Sequence, residues 1–415
     1  MRDASCQSRA VRIAITGAHQ AIVGGAETYL KWLLRTLVAR GHEVAFGFEH
    51  ASKDGDQSVD LDLEPLTRWD LGKVTRSEFF DQLARFRPDI VFLQSASDQA
   101  LDLELTRRFR TVLFAHAFYG TCATGWKVHH LPTLRVCVRR FGPGCLPVNY
   151  LFGCGARNPV QLLKVYSNQR TRAKVLQGVA GLVVASEYMR QVYVQNGVDD
   201  SIVRLLAYPV TLEPDAAPLS VREAPRRVLF LGRLTEGKGG VRAVQAVARC
   251  QRSIGDRQLL LTMAGDGPEL ERCRRLAAKL RVPSEFPGWV GPERRSQLLR
   301  ETDVLIMPSL WPEPFGMVGV EAGTVGVPAV AYRTGGIVDW LRPGVSGELA
   351  EGFGSRSLAQ ALERALRDAQ HHQRLRLGAW RTACEYVGDR HAFGLESFFH
   401  ELLPPETGQS KQGAP

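Results

Sequence analysis

Three short stretches combine residues able to handle a phosphorylated ligand. The most specific is Pro308-Ser-Leu-Trp-Pro-Glu313-Pro-Phe315-Gly316-Met317-Val318-Gly-Val-Glu321. Two carboxylates eight positions apart flank a Gly-Met-Val step that reads as a helix start. Unpaired N–H groups there can face a phosphate, while the carboxylates accept bonds from hydroxyl groups on either side. A diphosphate flanked by two polyols would suit this arrangement; the bland alternative leaves Glu313 neutralising a helix N-terminus and Glu321 solvated. In Leu231-Gly-Arg233-Leu-Thr-Glu-Gly-Lys238-Gly-Gly240, two cations bracket a glycine turn between a strand and a helix. That is a natural diphosphate clamp, or else a solvated surface turn. Its spacing is neither a Walker loop nor a dinucleotide fingerprint, which disfavours kinase and hydride-transfer chemistry. Gly24-Gly25-Ala26-Glu27 opens the first helix and offers another close backbone approach, or only a tight turn.

Parallel strands must position these residues. Apolar runs at 11–16, 43–48, 89–93, 111–116 and 181–186, then at 228–232, 259–264, 303–308 and 328–332, alternate with helical patterns. Such runs predict strands buried on both faces, so each half reads as doubly wound. Residues 27–40 carry the helical period, with Leu30, Leu33, Leu34, Leu37 and Val38 on one stripe and Gly41 as the stop signal. Three prolines between 209 and 218 mark a linker placed at 209–226. The expected organisation is an N-terminal domain at 11–208, a C-terminal domain at 227–388, a final helix at 389–403, and disordered ends at 1–10 and 404–415.

The 415 residues are 44% hydrophobic and 23% charged, which excludes a small binding module and a disordered chain. No apolar run reaches the roughly 18 residues of a membrane helix. A cytoplasmic chain is expected. The net charge of +10 is concentrated: residues 105–186 contain twelve Lys or Arg and no Asp or Glu. Lys164, Arg170, Arg172 and Lys174 on one helical stretch suit a diphosphate-lipid acceptor or an anionic membrane, making the protein peripheral on its inner face. No aromatic-basic interleaving accompanies the charge, so nucleic acid is not an expected partner. The same segment holds Cys122, Cys137, Cys145 and Cys154, whose spacings leave open a structural zinc clip or unpaired buried thiols. No Asp-x-Asp stands at a strand end to hold a catalytic metal.

Taken jointly, Gly-Gly-x-Glu, the Arg233/Lys238 turn, Ala264-Gly265-Asp-Gly-Pro268 and the E-x7-E motif ending at Glu321 resemble the retaining, sugar-nucleotide-dependent glycosyltransferases of family 4. The resemblance runs from about residue 11 to 390. It implies the GT-B fold, two Rossmann-like domains facing a central cleft, with the final helix packing back on the N-terminal domain and no cofactor needed for catalysis. By resemblance, Arg233 and Lys238 hold the diphosphate of a UDP- or GDP-sugar, Glu321 the ribose, and Glu313 the donor sugar. Gly24, Gly25, Gly265, Phe315, Gly316, Met317 and Val318 would line the donor, and Gly288, Trp289 and Val290 the base. His116 matches the family's active-site histidine, although Ala117 follows it where an acidic residue is common. The acceptor implied is a glycan or polyprenyl-diphosphate-linked sugar, in cell-surface polysaccharide or glycolipid assembly. A catalytically silent sugar-nucleotide or polyanion binder is the rival reading.

Overall fold

A computed structural model describes residues 9–404 except 23, 54–56, 61–62, 95–96, 219–226 and 255–257. The ends expected to be disordered lie largely outside the described residues, as does the second half of the expected linker. The chain forms two compact units, one of residues 1–114, 178–183 and 392–415, the other of 115–177 and 184–391.

The first unit carries six strands in the order Thr67–Asp70, Glu43–His50, Arg12–His19, Ile90–Leu93, Thr111–Ala115, Gly181–Val184. The first five pair in parallel. Their centre is apolar on both faces, with Ile13, Ile15, Phe46, Phe92 and Val112 buried. The Gly25–Ala39 helix lays Tyr29, Leu30, Leu33, Leu34 and Leu37 against this core. Thr75 and Glu78 close a reciprocal capping box that starts Arg76–Phe86. Thr67–Asp70 was not legible as a strand, because only Trp69 of its four residues is buried.

The final helix, Gly388–Leu402, groups with this unit from Ala392 onward. Phe399 meets Phe92 edge-on at 5.3 Å. Glu396 is buried and accepts from Arg40 at 2.5 and 2.7 Å and from His42 Nε2 at 2.9 Å. Val11 N–H donates to His42 Nδ1, so the ring proton sits on Nε2 and faces the carboxylate. Burial pushes the Glu396 pKa up, but the bonds from Arg40 and His42 outweigh it and hold the pKa below 4.5. Glu396→Gln is therefore expected to destabilise the fold by about 2 kcal/mol, since it leaves Arg40 and a buried imidazole poorly paired. A depressed carboxylate stabilises fully above its unfolded pKa and loses that contribution as pH falls through the folded value. Urea melts of the wild type and variant should thus differ at pH 7 and converge as the pH falls through the lowered Glu396 pKa.

The second unit holds a six-stranded parallel sheet in the order Ser284–Gly288, Leu260–Ala264, Arg227–Leu231, Val304–Met307, Ala329–Tyr332, Gly347–Ala350. The chain winds one way from Arg227–Leu231 and then returns to wind the other way from Val304–Met307. Ligands of open α/β sheets bind beside the carboxyl ends of strands at such a switch point. Helices Gly240–Ser253 and Ser355–Leu366 cover the sheet with Ala243, Val244, Val247, Leu358 and Leu362. Ser284–Gly288 escaped the apolar-run criterion because none of its residues is buried, and Gly347–Ala350 because it carries a buried Glu348.

The compact units do not divide at the proline-rich stretch, which lies wholly in the second. Val210 N–H donates to Tyr386 O at 2.8 Å, and Trp380 Nε1 to Asp215 O at 2.8 Å. Arg300 binds the Asp215 carboxylate at 2.5 and 2.8 Å. These bonds pin residues 210–215 where composition alone suggested a free connector. The basic segment, expected in the N-terminal domain, also groups with the second unit through residue 177. Within that unit Trp126 packs on Trp311 at 5.3 Å, and His130 lies 3.3 Å from Glu236.

Candidate functional site

The loops after the central strands of the second sheet are locked together backbone to backbone. Gly232 N–H donates to Ala264 O, Leu234 N–H to Asp266 O, Gly265 N–H to Gly288 O and Leu310 N–H to Gly237 O, at 2.7 to 3.0 Å. Two glycines make the approach possible. Gly265 has φ +140°, and a Cβ there would fall 1.9 Å from Gly232 O; at Gly239, φ +71°, it would fall 2.0 Å from Pro308 O. Any side chain would force the loops apart.

On this frame the Lys238 ammonium lies 2.7 Å from Glu313 Oε1 and 5.2 Å above the Trp311 ring. Ser309 Oγ donates to the same carboxylate oxygen at 2.5 Å, and Gly336 N–H to Glu313 O at 2.7 Å. Glu313 is buried, and Lys238 and Ser309 supply the side-chain partners of its carboxylate. Arg233 is exposed. Glu321 is also buried, in the helix Met317–Gly323, and forms an ion pair with Arg295 from Pro292–Glu301. Burial lowers the Arg295 pKa, which makes its charge costly without the carboxylate. Gly316 caps that helix in the left-handed region at φ +85° without a side-chain bond, leaving the Met317 and Val318 N–H groups without a side-chain cap.

The other expected residues fall as follows. Trp289 is 73% exposed and Val290 half-buried, just beyond Ser284–Gly288. The Phe315 ring is buried between Tyr208 and Tyr386, and its carbonyl accepts from Trp340 Nε1 at 2.8 Å. Its side chain thus belongs to the core, and only its backbone could face a ligand. Gly24 and Gly25 are exposed at the start of Gly25–Ala39 in the first unit. His116 follows Thr111–Ala115, with Nδ1 2.5 Å from the Tyr208 hydroxyl, and burial pushes its pKa down to about 3. The ring is neutral at physiological pH. Lys164, Arg170 and Lys174 are exposed, whereas Arg172 lies 4.2 Å over the Tyr119 ring, which removes it from a purely solvated basic strip.

Among the described residues, no three His, Cys, Asp or Glu side chains are grouped to hold a metal ion. Cys122, Cys137, Cys145 and Cys154 are free thiols, and Cys154 Sγ lies 3.1 Å from His129 Nδ1. Burial raises the Cys137 pKa and takes that of Cys154 up to about 11. Sequence reasoning missed Arg295 and Tyr208, which carry no local signal: one is an ordinary arginine on an amphipathic helix, the other a lone tyrosine before a proline. Ser309 was within the quoted motif and could have been found there.

A family model described as Glycosyltransferase Family 4 matches residues 23–213, and one described as Glycosyl transferases group 1 matches residues 213–379. The chain is 31% identical over 195 residues to a D-inositol 3-phosphate glycosyltransferase of Salinispora arenicola, covering 45% of this chain and 43% of that protein. It is 25% identical over 240 residues to the lipopolysaccharide 1,2-N-acetylglucosaminetransferase of Salmonella typhimurium, covering 52% and 61%. The chain thus spans less than two thirds of either relative. Anabaena Alr3699/HepE, solved with UDP and glucose, superposes over 94% of this chain and 99% of its own with TM-score 0.67 at 17% identity. The sucrose-phosphate synthase of Thermosynechococcus elongatus does so over 94% and 99% with TM-score 0.68 at 19% identity. Two family models that meet at residue 213, two Rossmann-like sheets and neighbours of the same architecture make the chain a family 4 glycosyltransferase of the GT-B fold.

Proposed function

We propose that the protein is a retaining, metal-independent hexosyltransferase that moves a sugar from a UDP- or GDP-sugar to a glycan or polyprenyl-diphosphate-linked acceptor in cell-surface polysaccharide or glycolipid assembly. The observation that carries this reading is the Lys238–Glu313 pair at the glycine-locked edge of the second sheet. It joins a cation for a leaving diphosphate to a carboxylate for sugar hydroxyls. A bound donor would exchange this internal pair for its own groups. HepE, solved with UDP-glucose, supports the donor class.

Transfer with retention passes through an oxocarbenium-like state, with positive charge at the anomeric carbon and negative charge on the departing diphosphate. Lys238 and Arg233 answer the second demand, helped by the N–H groups of Met317 and Val318. In front-face displacement the leaving phosphate itself takes the acceptor proton, so no side chain need serve as covalent nucleophile. Neutral His116, held by Tyr208, can hydrogen-bond a sugar hydroxyl. The exposed cations Lys164, Arg170 and Lys174 would attract an anionic membrane surface, with Arg172 adding its field from the Tyr119 face.

A thermal-shift screen of UDP-, GDP- and ADP-sugars, followed by hydrolysis and anomeric NMR of the product, tests the proposal. Stabilisation by none of them would remove the donor site, inversion would remove the front-face mechanism, and loss of activity in EDTA would remove metal independence. His116→Ala should lower turnover by about 10- to 100-fold, as expected for a lost hydrogen bond in a water-poor site. Because the imidazole titrates near 3, the wild-type rate should show no His116 limb between about pH 5.5 and 8. A limb in that range that vanishes in His116→Gln would contradict the neutral role.

A further inference from the structure

The basic segment is built inside out where it meets water. In the helix Cys145–Phe152, whose sequence is CLPVNYLF, the sole buried residue is the polar Asn149, while Tyr150 and Leu151 are exposed. Asn149 Nδ2 donates to Ala156 O, which turns the amide inward. The next helix, Pro159–Gly178, starts with Val160 and Leu163 exposed, and Val138 precedes both helices. Exposure reaches 82% at Val138, 69% at Leu151 and 77% at Val160. Seven of the sixteen exposed large apolar side chains among the described residues lie between 126 and 163. Scattered single exposures are ordinary, but this concentration marks a surface that something covers.

The charges around it say what. Arg139, Arg140, Arg157 and Lys164 are exposed along residues 138–164, and no carboxylate occurs from 105 to 186. Cations interleaved with bare apolar side chains suit a partner that is anionic at its surface and apolar just below. A leaflet of acidic phospholipid has that profile, with headgroups for the guanidinium groups and acyl chains for the aliphatic groups. Among the described residues no helix is long and apolar enough to cross a membrane.

We infer that residues 138–164 form an interfacial anchor, in which Val138, Tyr150, Leu151, Val160 and Leu163 enter the headgroup region of an anionic membrane. This rests on the membrane-linked acceptor proposed above and shifts the contact from the charges along Pro159–Gly178 to an apolar surface that ends in the first turns of that helix. Docking by exposed charge alone fades with salt, whereas apolar insertion resists it.

The test is co-sedimentation of the full chain with phosphatidylcholine vesicles, with and without about 30 mol % phosphatidylglycerol, at low salt and at about 0.5 M NaCl. The wild type should bind the anionic vesicles and retain a salt-resistant fraction. Leu151→Ser/Val160→Ser/Leu163→Ser should bind at least about tenfold more weakly at both salts. Arg139→Gln/Arg140→Gln/Lys164→Gln should lose the anionic preference yet keep the salt-resistant part. Three results would overturn the anchor: wild-type indifference to all vesicles, a serine variant that binds like the wild type, or a wild-type dimer that the serine variant abolishes, which would make a second copy the cover. Unchanged melting temperatures and unchanged stabilisation by UDP in each variant confirm the fold. They also keep a failed donor site distinguishable from a failed anchor.

Discussion

Replacing Lys238 by methionine is expected to lower the rate of sugar transfer by about 100- to 1000-fold, the usual cost of removing one preorganised charge from a developing anion. The same substitution should destabilise the protein by about 2 to 3 kcal/mol, because it leaves Glu313 buried with Ser309 as its remaining side-chain partner. The two effects can be separated. In the double variant Lys238→Met/Glu313→Gln the unpaired charge is gone, so stability should return toward the wild type while transfer stays lost. Measured quantities are the urea midpoint and nucleoside diphosphate released per second at saturating donor sugar. Near-normal turnover in Lys238→Met would take the clamp out of the mechanism. A double variant no more stable than the single one would mean that the pair does not balance charge in the resting state.

The second large effect is expected at Glu321. Its carboxylate is held in the resting protein by Arg295, and the proposed ribose contact would use the acceptor capacity the guanidinium leaves free. Glu321→Gln should weaken UDP or GDP binding by about 10- to 100-fold, in line with about 1.5 to 3 kcal/mol for a hydrogen bond to a charged group. It should change kcat much less, since ribose contacts are made equally in ground and transition states. Calorimetry with the ribonucleotide and its 2′-deoxy analogue decides the matter. The wild type should discriminate between them and the variant should not. Equal discrimination in both proteins would move the ribose away from Glu321. Arg295→Met is the companion variant: it strands a buried carboxylate, so it should lower both melting temperature and nucleotide affinity.

How much of this was legible in the chain can be argued from particular residues. The Gly25–Ala39 helix and the buried strands Arg12–His19, Ile90–Leu93, Arg227–Leu231 and Val304–Met307 follow from local chemistry. An apolar period of 3.6 or a short unbroken apolar run has few other ways to bury itself. The same holds for the glycine turn with Lys238 and for Glu313 and Glu321, because motif spacing along one loop and one helix is a local property. What escaped was decided by partners distant in sequence. Thr67–Asp70 and Ser284–Gly288 became strands because a neighbouring edge had free N–H and C=O groups to pair, a demand that four or five weakly apolar residues do not announce. The proline-rich 210–215 stretch looked like a connector until Tyr386, Trp380 and Arg300 supplied its bonds.

The site divides in the same way. The residue types that could bind a diphosphate and two polyols were determined by the sequence alone. That Lys238 spends the resting state on Glu313, that Arg295 answers Glu321, and that Tyr208 holds His116 were decided only by the tertiary structure, across separations of 75, 26 and 92 residues. A buried charge must find a counter-charge, but the sequence states only the need. Which of the 53 Lys and Arg residues meets it depends on how the helices and loops pack around the sheet. The basic segment shows the converse: its lack of carboxylates is written in the sequence. That Tyr150 and Leu151 point outward and Asn149 inward depends on which face of Cys145–Phe152 the fold leaves uncovered.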